Sequence, residues 1–138
     1  MRGFQGAKVS LQKGPQFHCR VGHFLTNTPD SVRLLVVMAV PYDHLQFIRS
    51  DSGFSAVFEL ISSVYDSQGA LVAERMSYPV AFTKNYAETN LITKVVAHAD
   101  DFLIGPGAYR MRVVLTERES NRESRFEAKI PLRASDPL

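Results

Sequence analysis

Histidine and cysteine are the residues of this chain best suited to metal or nucleophilic chemistry. His18, Cys19 and His23 lie within six residues, while His44 and His98 stand apart. Imidazole and thiolate groups bind zinc and copper, but this spacing matches no standard zinc pattern. An extended strand would also place His18 and Cys19 on opposite faces. We therefore expect surface histidines and a buried thiol here, with no metal site and no cofactor.

Two pairs of carboxylates could act as acid–base groups or bind calcium. Asp100–Asp101 precedes an apolar dipeptide, and Glu117 and Glu119 lie on the same side of an extended chain. Arg118 and Arg122 balance the charge of the second pair. We expect both pairs to lie in solvated loops, and no signature of nucleophilic catalysis surrounds the single cysteine. The sequence thus predicts a protein that is not an enzyme.

Length and composition place the chain among single-domain globular proteins. The 138 residues are 45% hydrophobic, and a single cysteine excludes an internal disulfide. Sixteen basic and fourteen acidic residues are mixed along the chain and leave a net charge of +2, which argues against nucleic acid as a partner. No apolar run approaches the roughly 18 residues that a transmembrane helix needs.

Apolar and polar residues alternate with a period of two along much of the chain, and no window keeps a helical spacing. The sequence therefore predicts an all-β fold, an immunoglobulin-like antiparallel β-sandwich of seven to eight strands. Turn formers separate the segments, and no connection resembles a crossover helix. The expected strands are 32–40, 54–65, 71–82, 90–98, 109–115 and 125–132, with shorter ones near 9–11 and 45–48 and a further candidate at 17–24.

A sharp turn is predicted at Gly105, Pro106 and Gly107, directly before a strand that starts at Tyr109. Two roles for Tyr109 stay open, and both are structural. Its hydroxyl could bond back to a loop carbonyl while its ring enters the core, as in a tyrosine corner, or the ring could be a plain core aromatic. Pro79, inside the expected strand 71–82, indicates a sheet edge.

The strand 34–40 is apolar on both of its faces. Its two rows are Leu34, Val36, Met38 and Val40 on one side and Leu35, Val37 and Ala39 on the other. Only one face of a strand in a two-layer sandwich meets the core. The second face must therefore be covered by the N-terminal segment 4–24, by a second copy or by another domain. Leu35, Val37 and Ala39 are accordingly candidate interface residues, and we expect a protein partner or self-association.

The middle of the chain carries a set of short motifs: Pro41-Tyr-Asp-His-Leu-Gln-Phe47, Gly53-Phe54, Tyr65-Asp66, Gly69, Tyr86-Ala-Glu-Thr-Asn90, Pro106-Gly-Ala-Tyr109 and the turn Glu119-Ser-Asn. Over residues 31–132 this set resembles the β-domain that precedes the Gly-Trp-x-Thr-Asp motif in bacterial GWxTD-domain proteins. The chain has no tryptophan, so the naming motif itself is absent. The resemblance implies an extracytoplasmic accessory domain and carries over no catalytic residue.

The expected organisation has three parts. Residues 1–30 form an N-terminal segment that packs on the sandwich or adds a strand to it, 31–132 form the β-sandwich domain, and 133–138 form a C-terminal tail or linker. Residues 1–14 show no signal peptide, which leaves two explanations open: the protein stays in the cytoplasm, or the chain is a mature or excised part of a longer protein. The polar C-terminus favours the second. Together with the resemblance, this favours a periplasmic or extracellular location.

These observations predict a non-catalytic β-sandwich module that mediates protein association in an exported or envelope-associated bacterial protein. The alternative is a ligand-binding sandwich that takes a glycan or a metal ion at its loop end, where Asp43-His44, Tyr86 and Asp100 would converge. The sequence does not identify a small-molecule ligand.

Overall fold

The computed structural model describes residues 4–7, 10–11, 14–28, 30–91 and 93–132. Within these ranges the chain forms β-strands and two 3-10 turns, and no helix is long and apolar enough to cross a membrane. The eleven strands described are β1 (Phe4–Ala7), β2 (Ser10–Leu11), β3 (His18–Leu25), β4 (Val32–Pro41), β5 (Ile48–Ser50), β6 (Gly53–Tyr65), β7 (Leu71–Ser77), β8 (Val80–Thr83), β9 (Val95–Ile104), β10 (Gly107–Glu117) and β11 (Glu123–Leu132).

The strands form two antiparallel sheets. One sheet has four strands in the order β1-β3-β4-β9. The other has seven: it runs β2-β11-β10-β6-β5, and β7 and β8 also pair with β6. Every described pairing is antiparallel. The all-β, antiparallel β-sandwich predicted from the sequence is therefore confirmed.

The described strands outnumber the seven to eight expected because short segments join the sheets. β2 and β5 contain only two and three residues. The expected strand 71–82 is also split in two, since Pro79 has no N–H to donate to a ladder. β7 pairs with the second half of β6 and β8 with its first half, and the Pro79 carbonyl accepts a hydrogen bond from the Phe58 N–H (3.3 Å).

Two segments predicted to be extended are turns. Tyr42–His44 is a 3-10 turn, so the strand expected at 45–48 begins only at Ile48. Residues 86–90 form another 3-10 turn, and the strand expected at 90–98 therefore starts at Val95. This strand, β9, continues through Asp100–Asp101, which the sequence placed in a loop.

The N-terminal segment adds strands to both sheets. β3 lies beside β4, with Cys19 opposite Met38 and Gly22 opposite Leu35. β1 continues the four-stranded sheet beyond β3, while β2 pairs with β11 in the other sheet. The predicted tail 133–138 and residue 9 of the predicted first strand lie outside the described residues.

The core fills the space between the sheets with alternate side chains of their strands. Successive residues of a strand project to opposite faces, so every second residue of β4, β6, β10 and β11 points inward. The largest fully buried apolar side chains are Phe58, Phe102, Phe126, Leu34, Met38, Leu60, Met111 and Leu115. Tyr109 packs against this core, and its hydroxyl donates a hydrogen bond to the Gly105 carbonyl (2.8 Å), a contact of the kind that a tyrosine corner makes.

Two hairpin turns depend on residues that tolerate a positive φ. Between β6 and β7, Gly69 has a φ of 82°, and the Asp66 carboxylate accepts a hydrogen bond from the Ala70 N–H (2.9 Å). Between β10 and β11, Asn121 has a φ of 58°, and its N–H donates to the Glu117 carbonyl (2.8 Å). These local contacts help to set the registers of both hairpins.

Replacing Phe126 with alanine is expected to lower the free energy of unfolding by about 3–5 kcal/mol, because the ring is buried between the sheets and its loss leaves a cavity. Phe82→Ala is the control: Phe82 is 43% exposed on β8, so its loss should cost clearly less, about 1 kcal/mol. Urea unfolding of both variants and the wild type measures the difference. Equal losses would contradict the burial described here.

Candidate functional site

The three residues with metal-binding chemistry lie on one strand, but the structure separates them. His18 is exposed on the outer face of β3, and its neighbour Cys19 is buried in the core. His23 is on the same side as Cys19, four residues further along, which spans about 13 Å of strand. In the part of the chain that is described, no three His, Cys, Asp or Glu side chains are placed to hold a metal ion together.

Burial also removes the Cys19 thiol from nucleophilic chemistry. Desolvation raises the pKa of Cys19 to about 12, because the core disfavours the charged thiolate. At neutral pH the side chain is therefore a small neutral group packed between the sheets. The buried thiol expected from the sequence follows from strand alternation, which turns Cys19 inward and His18 outward.

The candidate interface residues Leu35, Val37 and Ala39 form the outward row of β4, inside the four-stranded sheet. All three are half-buried. Val37 and Ala39 lie opposite Ala99 and Ala97 of β9, which are exposed. We call these five residues the apolar sheet face. β3 and β9 flank β4 within the sheet and do not cross this face.

A charged pair borders the apolar sheet face. Arg33 donates hydrogen bonds from Nε (2.8 Å) and Nη2 (2.6 Å) to one carboxylate oxygen of Asp101. The hydrogen bond from the guanidinium holds the pKa of Asp101 below its usual value. Both side chains are about half exposed, so the pair contributes little to stability. It makes one border of the face polar.

A second apolar surface lies on β7 and β8. Met76, Tyr78, Val80 and Phe82 are between 43% and 60% exposed, and we call them the apolar ribbon. The sequence analysis placed these residues in the expected strand 71–82 but gave them no role. The sequence contained a sign of this surface, because Pro79 indicates a sheet edge. Large apolar residues next to such an edge are left uncovered.

Four polar side chains form a cluster between the two sheets: Ser62, Ser77, His98 and Asp100. The Asp100 carboxylate accepts a hydrogen bond from the Ser62 hydroxyl (2.9 Å) and lies 3.0 Å from His98 Nε2. The Ser77 hydroxyl lies 3.1 Å from the same ring nitrogen. In a catalytic triad the carboxylate and the hydroxyl contact different nitrogens, so this geometry is not that of a triad. The cluster joins β9 to β6 and β7.

The solvated loop predicted for Asp100–Asp101 is wrong. Both residues lie within β9, where alternation buries Asp100 and exposes Asp101. The two carboxylates project to opposite faces, so they cannot act as a paired calcium ligand. Sequence reasoning missed the polar cluster because its members come from three strands that meet only after the sheets have packed.

Glu117 carries a buried carboxylate that ties two loops together. Its Oε2 accepts a hydrogen bond from the Gln46 backbone N–H (2.7 Å). Its Oε1 accepts from the Ser120 hydroxyl (2.7 Å) and from Nε and Nη2 of Arg122 (2.8 and 2.6 Å). The solvated hairpin predicted here is therefore wrong for Glu117, which is 1% exposed because it ends the inward row of β10. Glu119, in the turn, is exposed as expected.

An open groove of about 740 Å³ lies beside the Glu117 contacts, at the loop end of the sandwich. It is lined by Gly14, Pro15, Gln16, Asp43, His44, Leu45, Gln46 and Arg122. The predicted ligand set of Asp43-His44, Tyr86 and Asp100 is not assembled at this groove. Tyr86 and Asp100 do not line it, and Asp100 lies in the middle of β9.

No protein-family model matches this chain, and no curated protein is similar to it. Solved structures do share its fold. A β-glucuronidase from Bacteroides uniformis matches with a TM-score of 0.59 and 12% identity, over 83% of this chain and 13% of the enzyme. A calcium-binding mutant of B. uniformis β-glucuronidase 2 matches with a TM-score of 0.58 and 11% identity, over the same shares. A β-glucuronidase from glycoside hydrolase family 2 matches with a TM-score of 0.50 and 16% identity, over 81% and 11%.

These likenesses concern the fold alone. The chain spans 13% or less of the length of the three enzymes, so each match is to one part of a much longer protein. They support the β-sandwich and give none of the residues described above a role.

Replacing Glu117 with alanine is expected to lower the free energy of unfolding by about 1–3 kcal/mol, since the Gln46 N–H would lose a buried acceptor, whereas the Arg122 guanidinium is 39% exposed and can be rehydrated. Glu119→Ala is the matched control and should change stability by no more than about 0.5 kcal/mol. Urea unfolding measures both. A small effect at both positions would mean that Glu117 is solvated.

The Cys19 thiol should resist labelling while the protein is folded. With its pKa near 12, the thiolate is about a thousandfold scarcer at pH 8 than in an unfolded chain. Reaction with an aromatic disulfide reagent, followed by absorbance with and without guanidinium chloride, measures the two rates. Similar rates in the two conditions would contradict the burial of this residue.

Proposed function

We propose that this chain is a non-catalytic β-sandwich module that mediates protein association, as part of an exported or envelope-associated bacterial protein. The observation that supports it is the apolar sheet face. Leu35, Val37 and Ala39 form a continuous outward row on an interior strand, and the neighbouring row on β9 contributes Ala97 and Ala99.

The outer face of the other sheet provides the contrast. There, Arg110 and Arg112 lie over the Tyr65 ring at 5.6 and 5.2 Å, and Glu127 lies 3.4 Å from Arg112. Glu127 and Lys129 of β11 are exposed on the same face. The β10–β11 part of one sheet therefore meets solvent with charges, while β4 and β9 of the other present small apolar side chains. Next to these, His18 and Arg20 of β3 are exposed opposite Ala39 and Val37. A face of the second kind is typical of a surface that another protein covers.

The sequence analysis left three candidates to cover the outer face of β4: the N-terminal segment, a second copy or another domain. β1 and β3, which come from the N-terminal segment, extend the four-stranded sheet sideways, and none of the described strands crosses its outer face. We propose that a second copy or another domain covers the apolar sheet face. The apolar ribbon adds a further uncovered surface with aromatic residues, which are enriched at protein interfaces.

An accessory role is consistent with how the fold occurs elsewhere. In the β-glucuronidases, the matching part is a small share of the chain. The proposed exported location rests on the resemblance to GWxTD-domain proteins over residues 31–132.

Val37→Glu is expected to reduce association, because it places a charge in the centre of the apolar sheet face. The wild type should show a mass above the 15.5 kDa of one chain in light scattering, and the variant should show a lower mass than the wild type at the same concentration. Val114→Glu is the matched control, since Val114 is also half-buried but lies on the charged outer face.

Circular dichroism of both variants reports whether the fold is kept. A wild type that stays at 15.5 kDa at every concentration, or a Val37→Glu mass equal to that of the wild type, would count against association through this face.

A further inference from the structure

β9 is an open edge of the four-stranded sheet. It is the last strand in the order, so half of its backbone N–H and C=O groups face away from β4, and no described strand pairs with them. β9 pairs with β4 over ten consecutive residues without a bulge, and it contains no proline, glycine or lysine. Proline, lysine and bulges are common protections of an edge, and the β7–β8 edge has one in Pro79.

We propose that β9 pairs antiparallel with β9 of a second copy, about a two-fold axis that passes through Ala99. The proposal rests on the association proposed above, and it names the partner and the contact. Pairing across this axis would join two four-stranded sheets into one and would make the two apolar sheet faces continuous.

Strand alternation restricts the possible registers. Residues opposite each other in a sheet project to the same face, so the axis must pass through a residue and not between two residues. With the axis at Ala99, Val95 lies opposite the partner's Leu103, and His98 lies opposite the partner's Asp100. Each of these pairs occurs twice because of the symmetry.

The outward pair explains two exposed hydrophobic residues. Val95 is 48% exposed and Leu103 is 67% exposed, although both lie in a regular strand. In the proposed register each of them packs against the other across the axis, at the short distance of directly opposed residues. Ala99 meets its own copy, and its small side chain allows the strands to approach.

The inward pair selects the same register. Charges that point inward on an edge strand oppose pairing when a partner would leave them unmatched. Here His98 would face the carboxylate of the partner's Asp100, a group that it already contacts within its own chain (3.0 Å). An axis at Asp100 would bring two carboxylates together, and an axis at His98 would place Val95 opposite the partner's Asp101. Of these three axes, the one at Ala99 matches both the outward Val95–Leu103 pair and the inward His98–Asp100 pair.

Crosslinking tests the axis directly. Ala99→Cys would place two thiols at a Cα separation of about 4.5–5.5 Å, within the range of a disulfide. Ala97→Cys is the matched control, because its two copies would lie about 13 Å apart. Cys19 is buried and does not compete. Under mild oxidation of the full chain, we expect the linked dimer to form at least about tenfold faster with Ala99→Cys. Equal rates, or no dimer, would overturn the proposal.

Charge complementation tests the β9 pairing in solution. The substitutions are made in the Val37→Glu protein, so that association through the apolar sheet face does not contribute to the mass. In analytical ultracentrifugation, the Val37→Glu protein should have a mass of twice 15.5 kDa, that of a dimer. Adding Val95→Lys and Leu103→Lys, or adding Val95→Glu and Leu103→Glu, should each give a monomer, since like charges would face each other. An equal mixture of the two should restore the dimer. Val80→Lys, on the apolar ribbon, should leave the mass of the Val37→Glu protein unchanged.

The outcomes separate the two proposals. If the wild type associates but the Val37→Glu protein is a monomer, the β9 pairing is overturned and association through the sheet face stands. If the Val37→Glu protein has the wild-type mass, and the charge substitutions in β9 convert both the wild type and the Val37→Glu protein to monomers, the β9 pairing stands. Association through the apolar sheet face is then overturned. A mixture that stays monomeric, or a Val80→Lys variant that dissociates equally, would overturn the β9 pairing.

Discussion

Strand alternation is the constraint on which the rest of this structure depends. Two sheets can bury only one face each against the other, so the parity of a residue within its strand decides whether it meets the core or the solvent. This rule separates His18 from Cys19 and Asp101 from Asp100. It also carries Glu117 into the interior at the end of β10. Residues that are adjacent in sequence therefore end in opposite chemical environments.

The polar residues that alternation buries have a structural use. Glu117 lies where a strand ends, so its two oxygens reach backbone and side-chain donors from two loops and hold the groove end of the sandwich together. Asp100 lies in mid-strand, and its partners His98 and Ser62 link the two sheets along one side. A buried carboxylate is costly without donors, and both carboxylates have them. Each is therefore engaged in holding elements together.

The outward rows distinguish the two sheets. On one, the β10–β11 part carries arginines over Tyr65, with Glu127 close to Arg112, and is suited to water. On the other, β4 and β9 carry Leu35, Val37 and small alanines beside the exposed Arg20 of β3, and no described strand pairs with the outer edge of β9. An apolar face beside an unpaired edge offers packing and backbone hydrogen bonds in one place. That combination is the physical basis for regarding association, rather than a reaction, as the use of this fold.

The sequence by itself determined the regular strands. Long alternating runs at 32–40, 54–65, 109–115 and 125–132 predicted β4, β6, β10 and β11 closely, since a two-residue period has one structural meaning when its apolar face is continuous. Only the tertiary structure decided where strands end and what they meet. Tyr42–His44 and residues 86–90 became turns, Pro79 divided a strand, and the partners of Glu117 and Asp100 came from distant segments. Such contacts depend on which sheet a strand joins and at what register, and a local pattern does not contain that information.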